Sequence, residues 1–150
     1  MGTRSLTKVI QKWEDKNGKE KRKPITCMYR QYDGHIDSHG QELAEFLEPF
    51  TVVNGMGLNE KRKIANGMDC LAAQLIAYFK KEPGNIYLMH PDSDDVWEEY
   101  LYEIEKDKNN ELLIIVYSSW NEKTQKSEWT EIFHGTPTEL LEHINVLENV

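Results

Sequence analysis

No stretch of this sequence stays apolar long enough to cross a bilayer: the longest such run, near Leu71 to Phe79, is about half of what a spanning helix needs. The N-terminal MGTRSLTKV lacks the apolar centre of a secretory leader. Gly2 invites myristoylation, but Leu6 stands where that signal needs Ser or Thr. Cysteine is scarce as well. Cys27 and Cys70 both sit in apolar segments, without a CxxC or a histidine at ligand spacing, which argues against zinc and against a disulfide framework. Two buried thiols in a reducing compartment fit better, so a cytoplasmic location is expected. Positive charge is also in deficit, 18 Lys and Arg against 26 Asp and Glu for a net −8, and a general nucleic-acid binder needs a basic face. The basic KNGKEKRK of Lys16 to Lys23 and the shorter Lys61-Arg62-Lys63 are expected to be solvated. Gly55, Gly57 and Gly67 match neither GxGxxG nor the P-loop, and no serine stands in a GxSxG elbow.

What remains is a soluble composition, 39% hydrophobic and 29% charged, over 150 residues, which suits one domain spanning 1–150. β-type runs at Leu6 to Trp13 and Pro24 to Tyr32 flank a turn at Asn17-Gly18, both of whose residues tolerate positive φ. The second run is apolar on both faces and should be central in its sheet. Ser38-x-x-Gln41 has capping-box spacing and predicts a helix with Leu43, Phe46 and Leu47 as its stripe, ended by Pro49. Asn54 to Gly57 reads as a loop, Asn59 to Lys63 as a charged segment, and Met68 to Lys81 as the most buried helix, stopped by Pro83-Gly84. Strands follow at Asn85 to His90, Trp97 to Asp107, Leu112 to Trp120 and Glu128 to His134. Thr136, Pro137 and Glu139 then start a terminal helix whose face is Leu140, Leu141, Ile144 and Leu147. The order ββαα-ββββα predicts an α+β fold, a mostly antiparallel sheet covered by helices.

Chemistry concentrates in YRQYDGHIDSHGQELAEFL, Tyr29 to Leu47. Asp33, His35, Asp37 and His39 alternate and would share one side if extended, as an acid/base set or metal ligands. Asp33-Gly34 is also ordinary turn chemistry, and Asp37 and Ser38 suit a helix start, so no metal is expected. His35 or His39, with Asp33 or Asp37 as orienting carboxylate, are the candidates for catalysis. Arg4 and Arg30 offer rigid donor forks beside the N-terminal hairpin, suited to phosphate or carboxylate. With Tyr32, Asp33, Gly34, His35 and His39 they form the expected ligand-binding set. No cofactor is expected. Trp97, Trp120 and Trp129 read as sheet-packing residues, and Asp92 to Asp95, lacking the glycine and terminal glutamate of a calcium loop, as a solvated connection.

The segments MGTRSLTKV, CMYRQYDGHIDSHGQELAEFL, ANGMDCLAAQLIAYFK and FHGTPTELLEHI together resemble a family of small uncharacterised proteins of bacteriophages, prophages and large DNA viruses. The resemblance covers most of the chain. Family members often read YRQYDGYPSGHG at the loop, where this chain has His35-Ile36-Asp37 in place of Tyr-Pro-Ser. It implies a viral or mobile-element setting rather than a reaction. The expectation is a non-enzymatic binder that sequesters a small phosphorylated, nucleotide-type ligand, in the manner of accessory proteins that counter host defence. The alternatives are a phosphodiesterase-type hydrolase using a loop histidine and a module that inhibits a host protein through its acidic surface. A homo-oligomer is compatible with the first.

Overall fold

The computed structural model describes residues 2–55 and 63–149. The Met56-Gly57 half of the expected loop and the Asn59 to Arg62 part of the charged segment lie outside them. The fold is α+β: β1 (Ser5–Glu14), β2 (Glu20–Arg30), α1 (Gln41–Leu47), β3 (Phe50–Val53), β4 (Lys63–Asn66), α2 (Gly67–Phe79), β5 (Ile86–Met89), β6 (Tyr100–Lys106), β7 (Leu112–Asn121), β8 (Lys126–Gly135) and α3 (Pro137–Glu148). Two short strands, β3 and β4, add to the expected order; they form a parallel pair away from the main sheet.

The main sheet has six strands in the order β5-β2-β1-β6-β7-β8. Its neighbours are antiparallel except β1 and β6, which run parallel with Leu6 beside Leu101. β2 is interior, flanked by β1 and β5, as its two apolar faces require. The β1–β2 turn is held by the Asp15 carboxylate, which accepts from the amides of Asn17 and Lys19, and Gly18 takes φ 76°.

Strand alternation separates the two faces. Val9, Met28, Tyr102, Ile104, Ile114 and Val116 meet Leu43, Leu47, Leu71, Leu75, Leu140 and Ile144 of the helices in one core. Each fully buried aliphatic side chain there is worth about 1.5–3 kcal/mol. The opposite face carries a charged ladder instead, in which Lys12 donates to Glu105 (2.6 Å) and Arg22 donates to both Glu103 and Glu105 (3.1 and 3.0 Å). Within the basic Lys16 to Lys23 stretch, Arg22 is thus tied into this ladder, as is Glu20 through a 3.4 Å ion pair with Lys12.

The terminal capping box forms as expected: Thr136 Oγ1 accepts from the Glu139 amide and Glu139 Oε1 accepts from the Thr136 amide. The Ser38 box does not form. Residues Ile36–Gly40 make a single π-helical turn in which the amides of Ser38, His39 and Gly40 all point at the His35 carbonyl. The helix proper begins at Gln41 with no side-chain cap, and the Ser38 hydroxyl faces Asp37 instead. Among the described residues no helix is long and apolar enough to span a membrane.

Candidate functional site

β1 and β2 place Thr7 and Arg30 on the helix-covered face, one strand apart. The π turn widens the chain just enough to aim His39 back into the core between them. His39 is fully buried, edge-on to Tyr102 and against Phe79. One Arg30 Nη donates to its Nδ1 at 3.0 Å, and a guanidinium can only donate. The ring proton therefore sits on Nε2, which donates to Thr7 Oγ1 at 2.7 Å. Burial, reinforced by the Arg30 charge, pushes the His39 pKa from 6.5 down to about 3. At neutral pH His39 is a neutral strut with both nitrogens engaged, unable to take up a proton or to touch a ligand. It therefore leaves both the catalytic and the ligand-contacting sets expected from the loop.

Arg30 is only 7% exposed yet remains the centre of the arrangement. Its Nε donates to the Tyr32 carbonyl at 2.9 Å and one Nη to His39, while its ring-facing side lies 6.0 Å from the Phe79 centroid. The outward edge of the fork meets the Glu42 carboxylate through two equal contacts of 3.3 Å. Charge-assisted pairs of this kind normally close to about 2.7–2.9 Å, so this one is loose. The Glu42 side chain is 46% exposed, with room to swing into solvent.

Beyond that edge opens a cleft of about 170 Å³, walled by Arg30, Glu42, Tyr78, Lys81, Glu82 and Asn85. Three elements build it: β2 supplies Arg30, α1 supplies Glu42, and the end of α2 with its following turn supplies the rest. Tyr78 packs on Phe46, and the Lys81 ammonium lies 5.1 Å from the Tyr78 ring centroid. Asn85, at φ 59°, fastens the turn by accepting from the Tyr32 amide.

Of the residues singled out from the loop, only Arg30 lines this cleft. Tyr32 is exposed and does not line it, but its backbone carbonyl and amide hold Arg30 and Asn85. Gly34 is structural: its amide donates to the Thr3 carbonyl, its own carbonyl accepts from Tyr102 Oη, and a β-carbon there would stand 2.8 Å from Thr3 O. Asp33 takes φ 63° at the turn. The exposed His35 shares a 2.7 Å hydrogen bond with Thr3 Oγ1, and no carboxylate among the described residues bonds to it. Because the chain coils after His35, the alternating residues do not share a side, and no group of three metal-ligating side chains occurs among the described residues. The Arg4 side chain makes no hydrogen bond or ion pair among them and is not part of the cleft. Nothing in the sequence marks Glu42, Tyr78, Lys81 or Asn85 as cleft residues; the fold brings them there from separate elements.

Under the same loop, Ser5 Oγ is fully buried without a hydrogen-bond partner among the described residues. A hydroxyl taken from water and left unpaired costs about 1–3 kcal/mol. Ser5→Ala is therefore expected to raise the melting temperature by about 2–4 °C in thermal denaturation. A lower melting temperature would mean that the hydroxyl has a partner after all.

No protein-family model, curated protein or solved structure matches this chain.

Proposed function

We propose that this protein binds a small phosphorylated ligand of nucleotide type at the Arg30 cleft, as a sequestering protein rather than an enzyme. The observation that carries the reading is the state of the Arg30 fork. Its Nε is held by the Tyr32 carbonyl and one Nη by the buried His39, while the outward edge formed by both Nη atoms faces an open cleft plugged by a loosely held, half-exposed carboxylate. A phosphate offers the same pair of oxygens with more charge, so it can replace Glu42 without moving Arg30. Lys81 supplies a second cation at the mouth, and the Tyr78 ring it now covers is a surface on which a base can stack. The resemblance to small viral and prophage proteins suits a role in withdrawing such a ligand from a host. Binding is favoured over hydrolysis because His39 is held neutral and doubly bonded and His35 is not among the residues lining the cleft.

Isothermal calorimetry against phosphate, pyrophosphate and linear and cyclic nucleotides tests this. Glu42→Gln removes the competing carboxylate and is expected to tighten binding about tenfold, a change of about 1.4 kcal/mol. Tyr78→Ala should weaken nucleotides while leaving pyrophosphate unchanged. No heat from any of these ligands at millimolar concentration, with wild type and with Glu42→Gln, would sink the proposal. Recovery of chemically altered ligand would replace it with the hydrolase reading.

A further inference from the structure

The most exposed aromatic among the described residues lies outside this cleft, just before β6 begins. Trp97 is 82% exposed and held at φ 63°, a conformation that bulky side chains rarely adopt. Its neighbour Asp95 is also left-handed, at φ 56°. Glu98 fixes the strained turn by accepting from the amides of Asp95 and Val96. A backbone this constrained holds the indole out in water, where it gains nothing for the fold.

Across from it stands Trp129 of β8, 49% exposed. Between them runs an open groove of about 530 Å³, floored by Ser119 and Ser127 and rimmed by Asp94, Asp95, Glu98 and Glu99. Among the described residues no lysine or arginine lines it. The Glu99 amide donates to the Arg4 carbonyl and its carbonyl accepts from the Ser119 amide, so this rim is tied to both β1 and β7. Exposed indoles attract cations over their faces, and the aliphatic stems of lysine and arginine pack on the same rings. Carboxylates placed around them supply the charge. The groove is too open to enclose a small cation, and it suits side chains presented by another surface.

We infer that the Trp97–Trp129 groove is a docking site for a lysine- and arginine-bearing segment of a partner protein. The occupant follows from charge complementarity, an all-acidic rim on two unshielded tryptophans. The net charge of −8 would also speed the encounter with a basic partner at low salt. A second copy of this chain is the competing occupant, because Lys16, Lys19 and Lys21 lie at the β1–β2 hairpin, at the other end of β1 from the groove.

Fluorescence anisotropy with a labelled twelve-residue Lys/Arg peptide, and a Glu-rich peptide of equal length as control, gives the test. The basic peptide should bind and the acidic one should not. Trp97→Gly and, separately, Asp94→Lys with Glu99→Lys should each weaken the basic peptide about tenfold or more. Because glycine accepts positive φ, Trp97→Gly should also melt about 2 °C or more above wild type, a loss of binding with a gain in stability. Absence of peptide binding by wild type overturns the proposal. So does a loss caused by the charge reversals but not by Trp97→Gly, which would indicate general electrostatic attraction. Salt-sensitive self-association of the protein alone, abolished by Lys19→Glu with Lys21→Glu, would assign the groove to a second copy and overturn it equally.

Discussion

Acidification from pH 7 to pH 4.5 is expected to destabilise this protein by about 2–3 kcal/mol through His39 alone. The unfolded chain takes up a proton on this ring near pH 6.5, whereas the folded protein holds it off until about pH 3. Between those values the unfolded state binds more protons, so stability falls as pH falls. The contribution is complete above about 6.5, declines at about 1.4 kcal/mol per pH unit below it, and is exhausted near 3. Other groups work in the same direction but start lower. Burial tends to raise the Glu105 carboxyl, yet Lys12 and Arg22 hold it below its usual range. The Thr136 backbone amide does the same for Glu139. Carboxylates of this kind withdraw their stability only below their ordinary value of 4.5, which leaves the interval from 6.5 to 4.5 to His39. Urea denaturation at several pH values, on wild type and on His39→Gln, checks this. Glutamine can still meet Thr7 and does not titrate, so its stability should be lower at pH 7 and nearly flat over that interval. An equally steep slope in the variant would mean that another group carries the pH dependence.

Much of the architecture was open to reading because it rests on local chemistry. Asp15, Asn17 and Gly18 specify their turn through side-chain and φ preferences that no distant contact has to supply. The two capping boxes show where this ends. Thr136 and Ser38 share the same spacing to Glu or Gln, but Thr136 is followed by Pro137, which is compatible only with the extended cap and helical first turn observed. Ser38 has no such lock, and burying His39 between Thr7 and Arg30 demands a widened turn that carries Ser38 past its capping position. The parallel pairing of β1 with β6 and the β3–β4 pair join residues far apart in sequence, and nothing in four-residue runs such as Phe50–Val53 announces a partner. The cleft was half legible for the same reason. Arg30 stood out as a charge in a strand apolar on both sides, but its walls come from α1 and α2, whose facing residues look like ordinary solvent-exposed helix positions until the helices are packed. Trp97 was misplaced by propensity: tryptophan favours strands, and the strand in fact starts at Tyr100, after a turn whose conformation its residue types disfavour.

Replacing Arg30 by methionine should cost about 2–4 kcal/mol at pH 7, the largest loss expected from one polar side chain here. The aliphatic stem is matched, so the loss falls on the partners of the guanidinium, which include the Phe79 ring beneath it. His39 Nδ1 becomes a fully buried acceptor without a donor, and the Tyr32 carbonyl loses its own. Glu42 is half-exposed and returns to water at little expense, which keeps the cost below that of breaking a wholly buried ion pair. Arg30→Lys should recover part of it, since one ammonium keeps the charge but cannot reach three partners placed for a planar fork. A structural role also predicts a coupling that simple loss of contacts does not. The Arg30 cation is one of the two influences holding the His39 pKa down. In Arg30→Met the folded-state pKa must therefore rise, the window between folded and unfolded values must narrow, and the acid-induced loss should level off at a higher pH and total less than in wild type. Arg30→Met and His39→Gln combined should cost less than the sum of the two, by about 1 kcal/mol or more, because each already removes the other's partner. Additive losses, with the acid-induced loss levelling off at the same pH as in wild type, would show that Arg30 and His39 act independently. The ligand reading would then have to stand without the buried support that orients the fork.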